Sequence, residues 1–129
     1  MSFREPFPIL YAADVRRSVD FYCKAFGFEI TFRWPAEGEL EYAFLRLGDS
    51  GIGIGRGSVV PGMGPAPAGA ARRFELCIYT EDTDAAAERL RALGARELLP
   101  PTDQPWNERL CYFEDPDGNP LHVTMKLEN

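Results

Sequence analysis

The chain has 129 residues, 45% hydrophobic and 26% charged, the make-up of an ordinary globular domain long enough to bury a core without disulfide staples. Its 14 basic and 20 acidic residues leave a net charge of −6, which repels phosphate backbones and anionic headgroups, so nucleic acid and membrane surfaces are set aside as partners. The apolar runs are far short of a bilayer span, no basic-then-apolar leader is read, and three cysteines without paired metal spacing fit reduced thiols in a cytoplasm.

The first predicted strand follows Phe7 in PILYAAD, and Asp14 heads a helical pattern, VRRSVDFYCKAFGF. A carboxylate there accepts the unpaired first-turn amides and favours the positive end of the helix dipole. Val15, Val19, Tyr22 and Phe26 recur at helical spacing, and Gly27 closes the helix where a left-handed residue costs least. Three extended runs follow, Glu29–Trp34, Leu40–Leu47 and Gly51–Gly55, parted by the turn signals of Pro35–Gly38 and Gly48–Gly51. The stretch from Gly57 to Ala71, GSVVPGMGPAPAGAA, is too rich in Gly and Pro for helix or strand and reads as a linker.

The pattern then repeats. After Glu75 comes LCIYTED, with Asp82 heading the helical run TDAAAERLRALGA, in which Ala86, Leu90 and Leu93 share a face and Gly94 closes the last turn. Extended runs return at Arg96–Leu99, Glu108–Glu114 and Pro120–Lys126, the last after the turn DPDGN. Asp14 and Asp82 are 68 positions apart, and Gly27 and Gly94 are 67 apart, which marks an internal duplication with a one-residue indel. The fold class is therefore α+β: two tandem βαβββ modules, in each of which a helix covers one face of a four-stranded sheet. One domain over 1–129 comprises a first module of about 5–56, a linker of about 57–71 and a second module of about 72–127.

Strand alternation assigns the faces. Phe74, Leu76 and Ile78, with Leu121, Val123 and Met125, and Ala43, Leu45 and Leu47, are uniformly apolar and belong under the helices. The opposite faces carry Phe7, Ile9 and Tyr11; Tyr42, Phe44 and Arg46; Glu75, Cys77 and Tyr79; Leu110 and Tyr112; His122 and Thr124. Aromatic rings mixed with a few ionisable groups suit a ligand cleft, and the plainer alternative is an amphipathic face solvated or covered in a dimer.

AADVRRSVDFYCKAFGFEI, EDTDAAAERLRALGA and above all QPWNERLCYFEDPDGNPLHV resemble the vicinal oxygen chelate superfamily, which joins glyoxalase I, extradiol dioxygenases and bleomycin-resistance proteins. The resemblance spans nearly the whole chain outside the linker and implies two tandem βαβββ modules with curved mixed sheets around a cleft, helices on the outer face, and a homodimer. In metal-dependent members each module supplies two metal ligands, one from its first strand and one from its last. Carried over by spacing, the first-strand positions are Phe7 and Glu75, and the last-strand positions are about Gly53 and His122. Phe7 and Gly53 bring no donor atom, and two side chains are too few for an open catalytic site, so neither a metal nor another cofactor is expected. QPWNE around Trp106 resembles the QPWG segment of bleomycin-resistance proteins, which likewise lack the ligands and sequester a drug; here Asn107 replaces the Gly.

The resulting expectation is a metal-independent binding protein that sequesters a small molecule in a dimer cleft. The ligand is hydrophobic and can also be cationic, since the acidic total suits positive charge. Its expected site residues are Trp106, Trp34, Tyr42, Phe44, Phe7, Glu75, Tyr112 and His122, with no catalytic residue assigned. Glu75 and His122 are expected to face each other, and the two Trp rings to stack on ligand. The plainer readings are a hydrogen-bonded sheet histidine and indoles packed at strand ends. Two enzyme alternatives stay open: a metal-dependent lyase, isomerase or dioxygenase with ligands from elsewhere, and a metal-free enzyme using Glu75, Tyr112 or His122 as acid or base. Twelve of the 14 basic residues are Arg, a bias suggesting a bacterial source.

Overall fold

The computed structural model describes residues 5, 7–56 and 75–128. The expected linker at 57–71 and Phe74 lie outside the described residues. The chain divides into two compact units, Met1–Gly69 and Ala70–Asn129.

In the first unit the order is β1 (Ile9–Ala12), α1 (Val15–Phe26), β2 (Glu29–Trp34), β3 (Tyr42–Leu47) and β4 (Ser50–Arg56). The second unit repeats it as β5 (Leu76–Tyr79), α2 (Thr83–Ala92), β6 (Glu97–Gln104), β7 (Glu108–Glu114) and β8 (Pro120–Lys126). Each unit is thus βαβββ and builds one four-stranded mixed sheet, ordered β1-β4-β3-β2 and β5-β8-β7-β6, neither closed on itself. The first strand of each unit pairs parallel to its last strand, and the other pairs are antiparallel.

Local chemistry fixes the helix ends. Asp14 accepts the Arg17 amide at 3.1 Å, and Asp82 accepts the Ala85 amide at 3.0 Å, each satisfying one orphan first-turn donor. Gly27 closes α1 at φ +83°. Beneath α1 the buried stripe is Val15, Ser18, Val19, Tyr22 and Ala25, packed over Ala43, Leu45, Ile52 and Ile54; Phe26 is only half-buried.

Two details differ from the sequence pattern. In α2 the buried stripe is Thr83, Ala87 and Leu90, not Ala86, Leu90 and Leu93, and Leu93 is exposed beyond the last helical turn. Thr83 tolerates burial because its hydroxyl donates to the Arg109 carbonyl at 2.7 Å. The second strand of the second unit, β6, runs to Gln104, well past Leu99, and passes through Pro100 and Pro101. It can do so because β6 is an edge strand with register shifts against β7, where missing amides leave few ladder bonds unmade. Leu47, assigned to the helix side, lies at the end of β3 and is 36% exposed.

The DPDGN turn is held by one buried carboxylate. Asp115 accepts the amides of Asp117 and Asn119 at 2.9 and 2.8 Å and the Asn119 side chain at 2.8 Å, while Gly118 takes φ +85°. This turn launches β8 in the register that pairs Tyr112 with His122.

Candidate functional site

With a helix on one face of each sheet, the opposite face is the one available to a ligand, and the two units present different chemistry there. In the first unit β4 places Gly51, Gly53 and Gly55 on that face, every second residue lacking a side chain. The space is taken by rings from the neighbouring strand. A Cβ on Gly53 would stand 2.5 Å from the Tyr42 hydroxyl oxygen, and one on Gly51 would collide with the Phe44 ring. Phe7 meets Phe44 edge-on at 4.8 Å between centroids, and Phe32 lies 6.2 Å from Tyr42. Trp34 pairs across the strands with Tyr42 and is 59% exposed. Burial pushes the Tyr42 phenol up from its ordinary value, in keeping with an apolar setting. Arg46 is the cation of this face, its guanidinium 5.7 Å from the Phe44 ring centre.

In the second unit the equivalent positions are polar. Glu75, just before β5, accepts the Tyr112 hydroxyl at 3.0 Å and lies 3.2 Å from His122 Nδ1, which is also 3.2 Å from the Tyr112 oxygen. The Tyr112 and His122 rings stack at 4.9 Å. The Tyr112 phenol is pushed up to about 12, first by burial and then by the Glu75 carboxylate. Next to this cluster Glu108 accepts the Tyr79 hydroxyl at 3.0 Å, the Thr124 hydroxyl at 3.1 Å and the Trp106 indole. Burial alone would raise the Glu108 carboxyl, but these donors and nearby His122 bring it below its ordinary value. Cys77 is exposed, and its thiol is pushed up by burial of its neighbourhood and then by Glu108 and Glu75, so it is a poor nucleophile.

The register shows that these are two versions of one arrangement. Ile9 pairs with Gly53, and Cys77, 68 residues later, pairs with His122; Phe44 pairs with Gly53, and Tyr112 with His122. Phe7, Phe44 and Gly53 therefore occupy the places of Glu75, Tyr112 and His122.

The same pattern is recognised over residues 7–123 by the family model of the glyoxalase/bleomycin resistance protein/dioxygenase superfamily. The chain belongs to this superfamily. Among solved structures it is similar to TioX from Micromonospora sp. ML1, at 26% identity and TM-score 0.78, over 94% of this chain and 98% of that one. A superfamily member from Nocardioides gives 27% identity and TM-score 0.73, over 100% of this chain and 87% of its own. The uncharacterized protein YraH of Bacillus subtilis is 28% identical over 124 residues, which is 92% of this chain and 94% of YraH.

Superfamily membership raises the question of a metal, and the residues present do not fit one. Phe7 and Gly53 carry no donor, and the space over Gly53 is filled by Tyr42. Glu75 and His122 do come together, but among the described residues no three His, Cys, Asp or Glu side chains are grouped to hold a metal ion.

The expected site residues thus fall into two groups. Phe7, Trp34, Tyr42 and Phe44 share the open face of the first sheet, and Glu75, Tyr112 and His122 form one cluster in the second unit. Trp106 stands in the turn between β6 and β7, 60% exposed and tied to Glu108. Asn107 keeps that turn in the glycine-like conformation, at φ +68°, with its side chain donating to the Leu127 carbonyl at 3.0 Å. Glu108 and Phe32 were missing from the sequence-derived set. Glu108 shares the strand parity of Leu110 and Tyr112, which is the signal that identifies it.

Proposed function

We propose that the protein binds a hydrophobic small molecule and does so without a metal ion. The observation that carries this reading is the substitution of Phe7 and Gly53 for the expected ligand positions, with the space taken up by the aromatic layer of Phe7, Tyr42 and Phe44. Aromatic rings give large apolar contact, and each ring contact adds about 1 kcal/mol. Holding a compound lowers its free concentration whenever the protein exceeds the dissociation constant, so sequestration needs no chemistry. A homodimer in a bacterial cytoplasm completes the proposal; the three cysteines, all free thiols, suit a reducing compartment.

The test uses N-phenyl-1-naphthylamine, a neutral probe that fluoresces in apolar sites. Saturable enhancement, unchanged by EDTA or added Zn²⁺ and weakened by Phe44→Ala or Trp34→Ala, is expected. Absence of saturable binding, or binding that requires the metal, overturns the reading. A second reading, a metal-free acid/base enzyme, is favoured by the contact of Tyr112, His122 and Glu75. It requires turnover of a substrate that is lost in Tyr112→Phe and Glu75→Gln.

A further inference from the structure

The open face of the first sheet is largely apolar and exposed. The register turns Ile9, Tyr11, Phe32 and Trp34 to it beside Phe7, and each of the five is 45–59% exposed. Single exposed rings are ordinary, but a contiguous set marks a place where a protein meets something else. Most cations of the first unit are engaged elsewhere. Arg16 pairs with Asp20, Arg56 with Glu39, and Arg33 donates to the carbonyls of Pro35 and Gly38, while Arg17 and Lys24 stand on α1. Arg46 is the exception. Among the described residues it is in no ion pair, and Glu29, opposite it in the register, is not bonded to it.

A second donor stands near Arg46. On β3, Tyr42, Phe44 and Arg46 alternate onto this face. The Tyr42 hydroxyl lies over Gly53, which pairs with Phe44, and the Phe44 ring lies over Gly51, which pairs with Arg46. The Arg46 guanidinium comes to 5.7 Å from the centre of that ring, so a phenol and a guanidinium neighbour the same ring. The Tyr42 hydroxyl makes no hydrogen bond among the described residues, and burial holds its phenol above the ordinary value, so at neutral pH it keeps a proton to donate. Arg46 offers only N–H donors. The middle of the face therefore has donors without acceptors, and the group it suits must accept. A carboxylate does so with two oxygens that match the guanidinium fork.

We infer that the open face of the first unit is the recognition site for an aryl carboxylate, its oxygens accepting from the Arg46 guanidinium and the Tyr42 hydroxyl and its ring against Phe7, Phe32 and Trp34. This rests on the binding reading above and adds the ligand class. The net charge of −6 favours cations only as a long-range field, and salt screens that field within about 8–10 Å. At contact distance the unpaired guanidinium sets the sign of the ligand, and the exposed rings set its hydrocarbon.

The test is equilibrium dialysis of the whole chain against 2-naphthoate and against the neutral 2-naphthamide, which shares its ring and nearly its shape. The carboxylate is expected to bind about tenfold more tightly, as charge-assisted hydrogen bonds are about twice as strong as neutral ones. Arg46→Gln should bring the two compounds within about twofold of each other, and its urea midpoint should match the unaltered protein because the side chain is exposed. Tyr42→Phe, which removes only the hydroxyl, should weaken naphthoate severalfold. Arg89→Gln, which removes the same charge from an exposed position on α2, should keep the preference. Equal binding of the two compounds by the unaltered protein, a preference that survives Arg46→Gln, or naphthoate binding unmoved by Tyr42→Phe overturns the inference and leaves the binding reading standing. If neither compound binds, as when a second copy of the chain covers the face, the inference fails as well, and the neutral-probe titration decides the binding reading separately.

Discussion

Replacing Gly53 by alanine tests the aromatic layer directly. The new Cβ would stand 2.5 Å from the Tyr42 hydroxyl oxygen, 3.0 Å from Tyr42 Cε1 and 3.1 Å from Ile9 Cγ1. Contacts this short force a shift, and overpacking of this kind costs about 1–3 kcal/mol. Two effects pull the value down: the Tyr42 ring is half-buried and can swing outward, and alanine in a strand regains about 0.5–1 kcal/mol of glycine's entropy penalty. The expected net loss is about 0.5–2 kcal/mol, a fall in melting temperature of about 2–6 °C for a chain of this size. The decisive quantity is the coupling. In a Tyr42→Ala background the clash disappears, so Gly53→Ala should become neutral or stabilising, giving an interaction energy of about 1 kcal/mol or more. Tyr42→Phe removes the nearest atom but leaves Cε1, so rescue should be partial. Urea unfolding of the four proteins in each cycle measures this. Additivity within about 0.5 kcal/mol would show that Tyr42 does not lie over Gly53 and would remove the basis for the layer.

Three further outcomes are expected. The Tyr112 phenol is held up to about 12, above its ordinary 10, so the folded state favours its protonated form. The stability this gives is intact below pH 10 and is lost as pH rises toward 12; Tyr112→Phe should flatten that alkaline decline in the unfolding midpoint. Asn107 sits at φ +68°, so Asn107→Ala should cost about 1–2 kcal/mol in thermal unfolding, while Asn107→Gly costs less by relieving the backbone. Cys77 should react slowly with iodoacetamide at neutral pH despite its exposure, and faster in Glu75→Gln or Glu108→Gln, with mass spectrometry assigning the adduct.

Legibility in the sequence follows from how local each signal is. Asp14, Asp82 and Gly27 act within one helical turn, so their roles can be read from neighbours alone, and the 68-residue spacing of the two caps exposes the duplication. The stripe of α2 is harder, because DAAAERLRAL offers alanine on two faces and only the underlying strands choose Ala87 over Ala86. The length of β6 is set by its place at the sheet edge, a tertiary fact that overrides the usual reading of Pro100–Pro101 as a break. At the site, strand parity brings Glu75, Tyr112 and His122 to one face, and the structure adds the mutual distances near 3 Å. The partners of Trp106 and the ring over Gly53 depend on rotamers, which no spacing encodes.

The duplication also explains why the two sheet faces diverged as sets rather than residue by residue. At the position paired with the first strand, glycine in the first unit and His122 in the second each match their neighbours. A histidine at 53 would enter space held by Tyr42 and meet the apolar Phe7 and Phe44, leaving its ring nitrogens without donors or acceptors from those residues. A glycine at 122 would strip Tyr112 of its stacking partner and leave the Glu75 carboxylate with one donor fewer. Each exchange is unfavourable unless the neighbouring pair changes as well. The same βαβββ backbone therefore stabilises two incompatible chemistries, an aromatic layer and a carboxylate–imidazole–phenol cluster, and single substitutions do not convert one into the other.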